Sequence, residues 1–161
     1  MKNLIIIYNN KKQLHHFLQA AFGRIPQSAA EVFSYRHLSV FCSPASTNID
    51  SQNSIVVLLD IKGIEIKIKK ATACIVSSEN GEALRQLSKN SVPCLTCGNN
   101  LSDSISLSSI TDEKIIICQQ RNIKTIDGEI LEPREFPVSR ENNCPIEILL
   151  LASATRAVIG D

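Results

Sequence analysis

Tryptophan is absent from this chain and aromatic residues make up only 4% of it, too few to furnish a stacking surface for nucleic-acid bases. A surplus of one charge sign is missing too. Lys and Arg number 17 against 16 Asp and Glu, a formal net charge of +1, and the basic residues are spread along the chain. That leaves no electrostatic footprint for nucleic acid or for an anionic membrane. No stretch reaches the roughly 18 apolar residues of a membrane span. The apolar run Leu4–Tyr8 is followed by Asn9, Asn10, Lys11 and Lys12, where a secretory signal needs a longer apolar region and a small-residue cleavage site. These absences point to a cytoplasmic location and to a protein or small-molecule partner.

What remains is an ordinary globular composition: 161 residues, 43% apolar and 20% charged. This fits one domain over 1–161 with a substantial core, and neither an internal repeat nor a linker interrupts it. Cysteines stand at 42, 74, 94, 97, 118 and 144. In a cytoplasmic chain they read as small buried hydrophobes rather than a disulfide frame.

The stretch 71–98 organises the pattern. Thr72–Val76 is β-rich, and Ser77, Ser78, Glu79, Asn80 and Gly81 break it. Ala83, Leu84 and Leu87 then share a helical face, Asn90 stops the helix, and Val92–Cys97 is extended again up to Gly98. A β-α-β unit of this kind calls for parallel strands in one sheet. Upstream, Leu4–Tyr8 and Ile55–Leu59 are continuous apolar runs, as buried parallel strands are. Asn9 and Asn10 make a turn that can cap a helix whose stripe is Leu14, Phe17, Leu18 and Ala21, closed by Gly23 and Pro26. Residues 28–33 allow a helical turn or two, 37–41 a short strand, and 43–54 a polar loop. Ile64, Ile66 and Ile68 alternate with Glu65, Lys67 and Lys69, the pattern of a half-exposed strand at a sheet edge. Ile105–Ser109 alternates and Ile115–Cys118 is a buried-strand run. Asp127-Gly128 between two short runs reads as a hairpin with a type I′ turn. Pro145 opens a last helix with apolar residues at 146, 149, 150, 154, 157 and 158, closed by Gly160. The fold class expected is a three-layer, Rossmann-like α/β domain with a mostly parallel sheet and a C-terminal β-hairpin plus helix.

Several constellations invite chemistry. Cys94 and Cys97 have a redox or metal spacing, yet they lie in a predicted strand where residues three apart face opposite ways. No second pair and no nearby His completes a metal site. His15 and His16 diverge by about 100° on a helix and read as surface polar residues. Arg134, Arg140, Glu141 and Asn142 read as a solvated loop. Ser77, Ser78 and Glu79 lie beyond the carboxyl end of a central strand, where open α/β sheets keep their binding crevice. Asn9, Asn10, Lys11 and Asn80 join them there as candidate ligand-binding residues, although the lysines read equally as solvated. No nucleophile–base pair is evident, so neither a catalytic residue, a metal ligand nor a cofactor is assigned.

The back half has a recognisable order, in Ile75–Asn80, Leu95–Gly98, Ser102–Ser104, Thr125–Gly128, Phe136–Val138, Asn142–Asn143 and Leu151–Ala154. Over residues 70–161 this resembles the central, ATP-binding domain of the Mur ligases, bacterial enzymes that join amino acids to a UDP-linked muramyl precursor through an acyl phosphate with ATP and magnesium. The front half departs from the family. Its phosphate loop, of the Gly-x-x-Gly-Lys-Thr kind, cradles phosphates on backbone N–H groups, but here Tyr8 is followed by Asn9, Asn10, Lys11, Lys12 and Gln13. The acidic turn Asn-x-Asp-Asp is Ser77, Ser78, Glu79 and Asn80, and the family's third domain has no counterpart. The resemblance therefore implies a pseudoenzyme: a non-catalytic binding or regulatory relative linked to cell-wall precursor metabolism. Two alternatives stand beside it, a small enzyme or nucleotide-binding protein using the crevice, and a structural subunit that docks by strand addition along residues 64–70.

Overall fold

The apolar runs Leu4–Tyr8 and Ile55–Leu59 become the middle of a nine-stranded sheet in the computed structural model, which describes residues 2–23, 32–44, 48–139 and 143–161. In chain order the elements are β1 (Lys2–Ile7), α1 (Lys11–Phe22), β2 (Val32–Tyr35), β3 (Leu38–Ser43), β4 (Asn48–Asp50), β5 (Ser54–Leu58), β6 (Lys67–Lys70) and β7 (Ala73–Ser77). There follow α2 (Gly81–Leu87), β8 (Cys94–Gly98), β9 (Ile105–Ile110), β10 (Lys114–Gln119), β11 (Ile123–Lys124), β12 (Ile130–Leu131), β13 (Arg134–Ser139) and α3 (Ile146–Ile159). The large sheet has the order β13-β10-β9-β8-β7-β5-β1-β3-β2. Its middle, from β9 to β3, is parallel throughout, and both ends are antiparallel. The fold is thus α/β, with a large, mostly parallel mixed sheet and three helices among the described residues.

Strand alternation divides the core in two. Leu4, Ile6, Ile55, Val57 and Ile75 face one way, against Phe17, Leu18 and Ala21 of α1 and Leu149, Leu150, Ala154 and Val158 of α3. Ile7, Val56, Leu58, Cys74 and Val76 face the other way, against Ala83 and Leu87 of α2 and the isoleucines 61, 64, 66 and 68. α3 is more enclosed than an apolar stripe requires. Ile148–Thr155 and Ala157–Ile159 are all buried, because α3 packs on α1 as well as on the sheet. The fully buried Thr155 hydroxyl donates back to the Leu151 carbonyl at 2.8 Å, a common solution for a buried Thr in a helix.

Local signals hold at the helix ends. Asn10 caps α1, and Gly23 and Gly160 end α1 and α3 in the left-handed region, at φ 67° and 76°, where glycine adds no Cβ penalty. Four expectations need correction. Residues 32 and 33 belong to β2 rather than to a helical turn, while 28–31 and Pro26 lie outside the described residues. The expected loop 43–54 contains β4, which pairs in parallel with β6. Ile64 and Ile66 are buried, but the strand itself begins only at Lys67, because the Ile64 carbonyl and the Ile66 N–H bond to the Gln86 side chain instead of to a strand. The Asp127-Gly128 turn is not type I′, which needs positive φ at both central residues. Only Gly128 has it, at 91°, and the loop spans Thr125–Glu129, closed by a Thr125 N–H to Glu129 carbonyl bond of 2.8 Å. Arg134 stands in β13, an edge strand that tolerates Pro137 for want of an outer neighbour, whereas Arg140, Glu141 and Asn142 lie outside the described residues.

Ile75 is fully buried at the centre of the sheet. Ile75→Ala is expected to lower unfolding free energy by about 2–5 kcal/mol, and the exposed Lys114→Ala by less than about 0.5 kcal/mol, both read from urea unfolding curves.

Candidate functional site

Because the middle strands are parallel, the chain leaves β1, β5, β7 and β8 at one edge of the sheet. The order reverses at β1, with β3 on one side of it and β5 on the other, which is where open α/β sheets place a crevice. The two predicted polar turns converge on the segment that follows β5. The Asn9 side-chain N–H donates to the Lys62 carbonyl at 3.2 Å and that of Asn80 to the Leu59 carbonyl at 3.1 Å.

Five of the seven candidate side chains have a structural task there. Asn10 Oδ1 accepts from the N–H groups of Lys12 at 2.8 Å and Gln13 at 3.3 Å. Asn80 Oδ1 accepts from Ala83 N–H at 3.1 Å and so caps α2. Ser77 is buried, and its hydroxyl oxygen accepts from the Glu79 N–H at 3.3 Å. Lys11 and Glu79 are exposed, and their side chains take no part in these ties. Ser78 alone reaches outward to the next turn, where its hydroxyl donates to Asp103 Oδ2 at 3.0 Å.

Asp103 is the residue that the motif reading left out of the candidate set. It is 1% exposed, and a buried carboxylate needs donors. Besides Ser78, the backbone N–H of Asn100 donates to Oδ2 at 2.9 Å, and the Asn100 side chain donates to the Ser78 hydroxyl at 3.3 Å. Gly98 makes this knot possible: a Cβ there would overlap the Ser78 hydroxyl and come within 2.7 Å of Asp103 Oδ2. Its signal in the sequence was a glycine at a strand end five residues before an aspartate. The knot orients the turn between β8 and β9.

The thiols pair otherwise than their spacing proposes. Cys97 is buried in the first core cluster, and Cys94 is exposed and lies beside Cys74 of the second cluster in the β7–β8 register. The Cys94 thiol donates to the Val92 carbonyl at 3.5 Å; interaction with the neighbouring Cys74 thiol brings its pKa down to about 7 against a partial opposing effect of burial, and the same interaction, with burial, pushes Cys74 well up. Burial, with the Asp103 and Glu147 carboxylates, pushes Cys97 up. Among the described residues no group of three or more His, Cys, Asp or Glu is placed to hold a metal ion, and no helix is long and apolar enough to cross a membrane.

Comparison with known proteins adds no relative: no family model, curated protein or solved structure matches the chain.

Two outcomes test this geometry. Gly98→Ala is expected to cost about 1–3 kcal/mol by overpacking the knot, and Ser78→Gly in the same chain to recover part of that loss in urea unfolding. Folding lowers the Cys94 pKa from 9.0 to about 7, so between those values the unfolded state holds more proton and this group adds stability as pH rises, losing it as pH falls through the folded value. Iodoacetamide is therefore expected to modify Cys94 with a rate that titrates near pH 7, in a phase that Cys94→Ser removes. A phase titrating at the ordinary thiol value would contradict the Cys74–Cys94 interaction.

Proposed function

We propose that this chain acts by binding rather than by group transfer, as a pseudoenzyme relative of the Mur ligase central domain with a Rossmann-like, three-layer arrangement. The observation that carries this is the use made of Asn10. A phosphate loop works by leaving backbone N–H groups at a helix N-terminus free to point at an anion. In this chain only Tyr8, Asn9 and Asn10 separate β1 from α1, none of them glycine, and Asn10 Oδ1 already occupies the N–H groups of Lys12 and Gln13. Lys11 is left as an exposed side chain with no phosphate cradle behind it.

The rest of the carboxyl-end edge agrees with that reading. Asn9, Asn80, Ser77 and Ser78 hold turns together, and the acidic side chain that the edge buries, Asp103, is engaged by Ser78 and Asn100. A magnesium-nucleotide site needs carboxylates turned toward the phosphates. The ligand class that the resemblance favours is a cell-wall precursor or a protein that handles one. A second reading, docking of a protein partner along a strand edge, is favoured by β6, whose only paired neighbour among the described residues is β4.

Thermal unfolding in the presence of Mg-ATP, Mg-ADP and UDP-muramyl precursors checks the proposal, since a ligand that binds only the native state raises its melting temperature. Mg-ATP is expected to leave the melting temperature unchanged and to yield no phosphate. Magnesium-dependent phosphate release that disappears in Lys11→Ala would overturn the non-catalytic reading. Asn10→Ala is expected to cost about 1 kcal/mol of stability, as loss of a helix cap does, without altering any ligand response.

A further inference from the structure

Ile64, Ile66 and Ile68 turn their side chains into the second core cluster, which leaves Lys67 and Lys69 in solvent. The backbone of this segment continues as β6, paired with β4 in a two-stranded sheet. Just upstream of β6 a side chain does the work of a strand. Gln86 of α2 accepts from Ile66 N–H through Oε1 at 2.7 Å and donates through Nε2 to the Ile64 carbonyl at 2.9 Å. The carbonyl of one residue and the N–H two residues on are the groups a residue of a parallel neighbour would bridge. The Gln86 amide therefore imitates one peptide group of a missing strand, and this is why 64–66 are held without being part of a ladder.

Gln86 bonds only as far as Ile66, while the cavity of about 610 Å³ shared with α2 runs along the whole segment 63–69, with Gln86 in its lining. Lys67, Lys69, Arg85 and Lys89 line it, with Glu65 and Glu82 as the opposing charges. Glu65 lies 3.5 Å from Lys67. Lys69, Arg85 and Lys89 form no ion pair among the described residues. A second copy of this chain is a poor occupant, because pairing two such edges would set lysine against lysine, a device that keeps edges apart. An acidic segment meets the opposite situation.

We propose that this groove receives an extended acidic peptide segment of a partner protein, added as a strand along Lys67–Lys70 beyond Gln86, with its carboxylates on Lys69, Arg85 and Lys89. The backbone supplies affinity and the cations supply selection, as in other strand-addition sites. The proposal rests on the reading that the chain acts by binding, and it names where and what.

Fluorescence anisotropy of the full chain with a labelled peptide of about eight residues alternating Val and Glu tests it. Three probes accompany it: the same peptide N-methylated at alternate residues, the same peptide with Lys for Glu, and an oligothymidylate. Saturable binding of the acidic peptide alone is expected, weakened about tenfold or more by Arg85→Glu with Lys89→Glu and equally sensitive to Lys69→Glu, which tests the site from the strand side should the helix variant fold poorly. Absence of binding overturns the proposal. So does equal binding of the methylated peptide, indifference to both charge reversals, or tighter binding of the oligothymidylate. Phosphate release from Mg-ATP would instead overturn the non-catalytic reading and leave the peptide titration standing.

Discussion

A strand buried on both faces must be covered on both, and the rest of the structure follows from meeting that demand for β1, β5 and β7. One face is met simply, by α1 and α3 lying side by side. Among the described helices the other has only α2, seven residues long and too short to cover three strands. Ile61, Ile64, Ile66 and Ile68 complete that cover, and the short β4–β6 pair and the Gln86 amide hold them in place. Irregular backbone over a core is costly unless its polar groups are matched. Gln86 matches two of them.

The same economy governs the carboxyl-end edge. In a nucleotide-binding α/β domain the groups at this edge are left open for the ligand. Asparagines hold this edge here: Asn10 and Asn80 cap the N-termini of α1 and α2, and Asn9 and Asn80 both hold the segment after β5. Asp103, the acidic group with least exposure at this edge, is turned inward onto Ser78 and Asn100. An edge tied in this way keeps its shape without a ligand.

Much of the fold was legible in the residues because its signals are local. Runs such as Ile55–Leu59, caps such as Asn10 and closers such as Gly160 act through their immediate neighbours. What was illegible depends on partners distant in the chain. β4 is three residues long and is a strand only because β6 lies beside it. Ile64 and Ile66 have strand periodicity, yet the Ile64 carbonyl and the Ile66 N–H bond to the Gln86 side chain, 22 and 20 residues on. The pairing of Cys94 with Cys74 rather than with Cys97 follows from the β7–β8 register, which no spacing encodes. At the candidate site, the turns at Asn9–Lys11 and Ser77–Asn80 could be placed from their position after apolar strands. Their tasks could not, since polar turn residues look alike whether they face a ligand or a carbonyl.

The sheet also joins two kinds of assembly. From β9 to β13 neighbours in sequence are mostly neighbours in space, joined antiparallel with short connections, and such contacts form quickly. The parallel middle has no such shortcut, and its first face is closed by α3, which spans residues 146–159. Until that helix arrives, Val57, Ile75 and Cys97 remain open to solvent. A ribosome-bound chain lacking α3 would expose its most apolar surface, and that interval is when a chaperone would have most to hold.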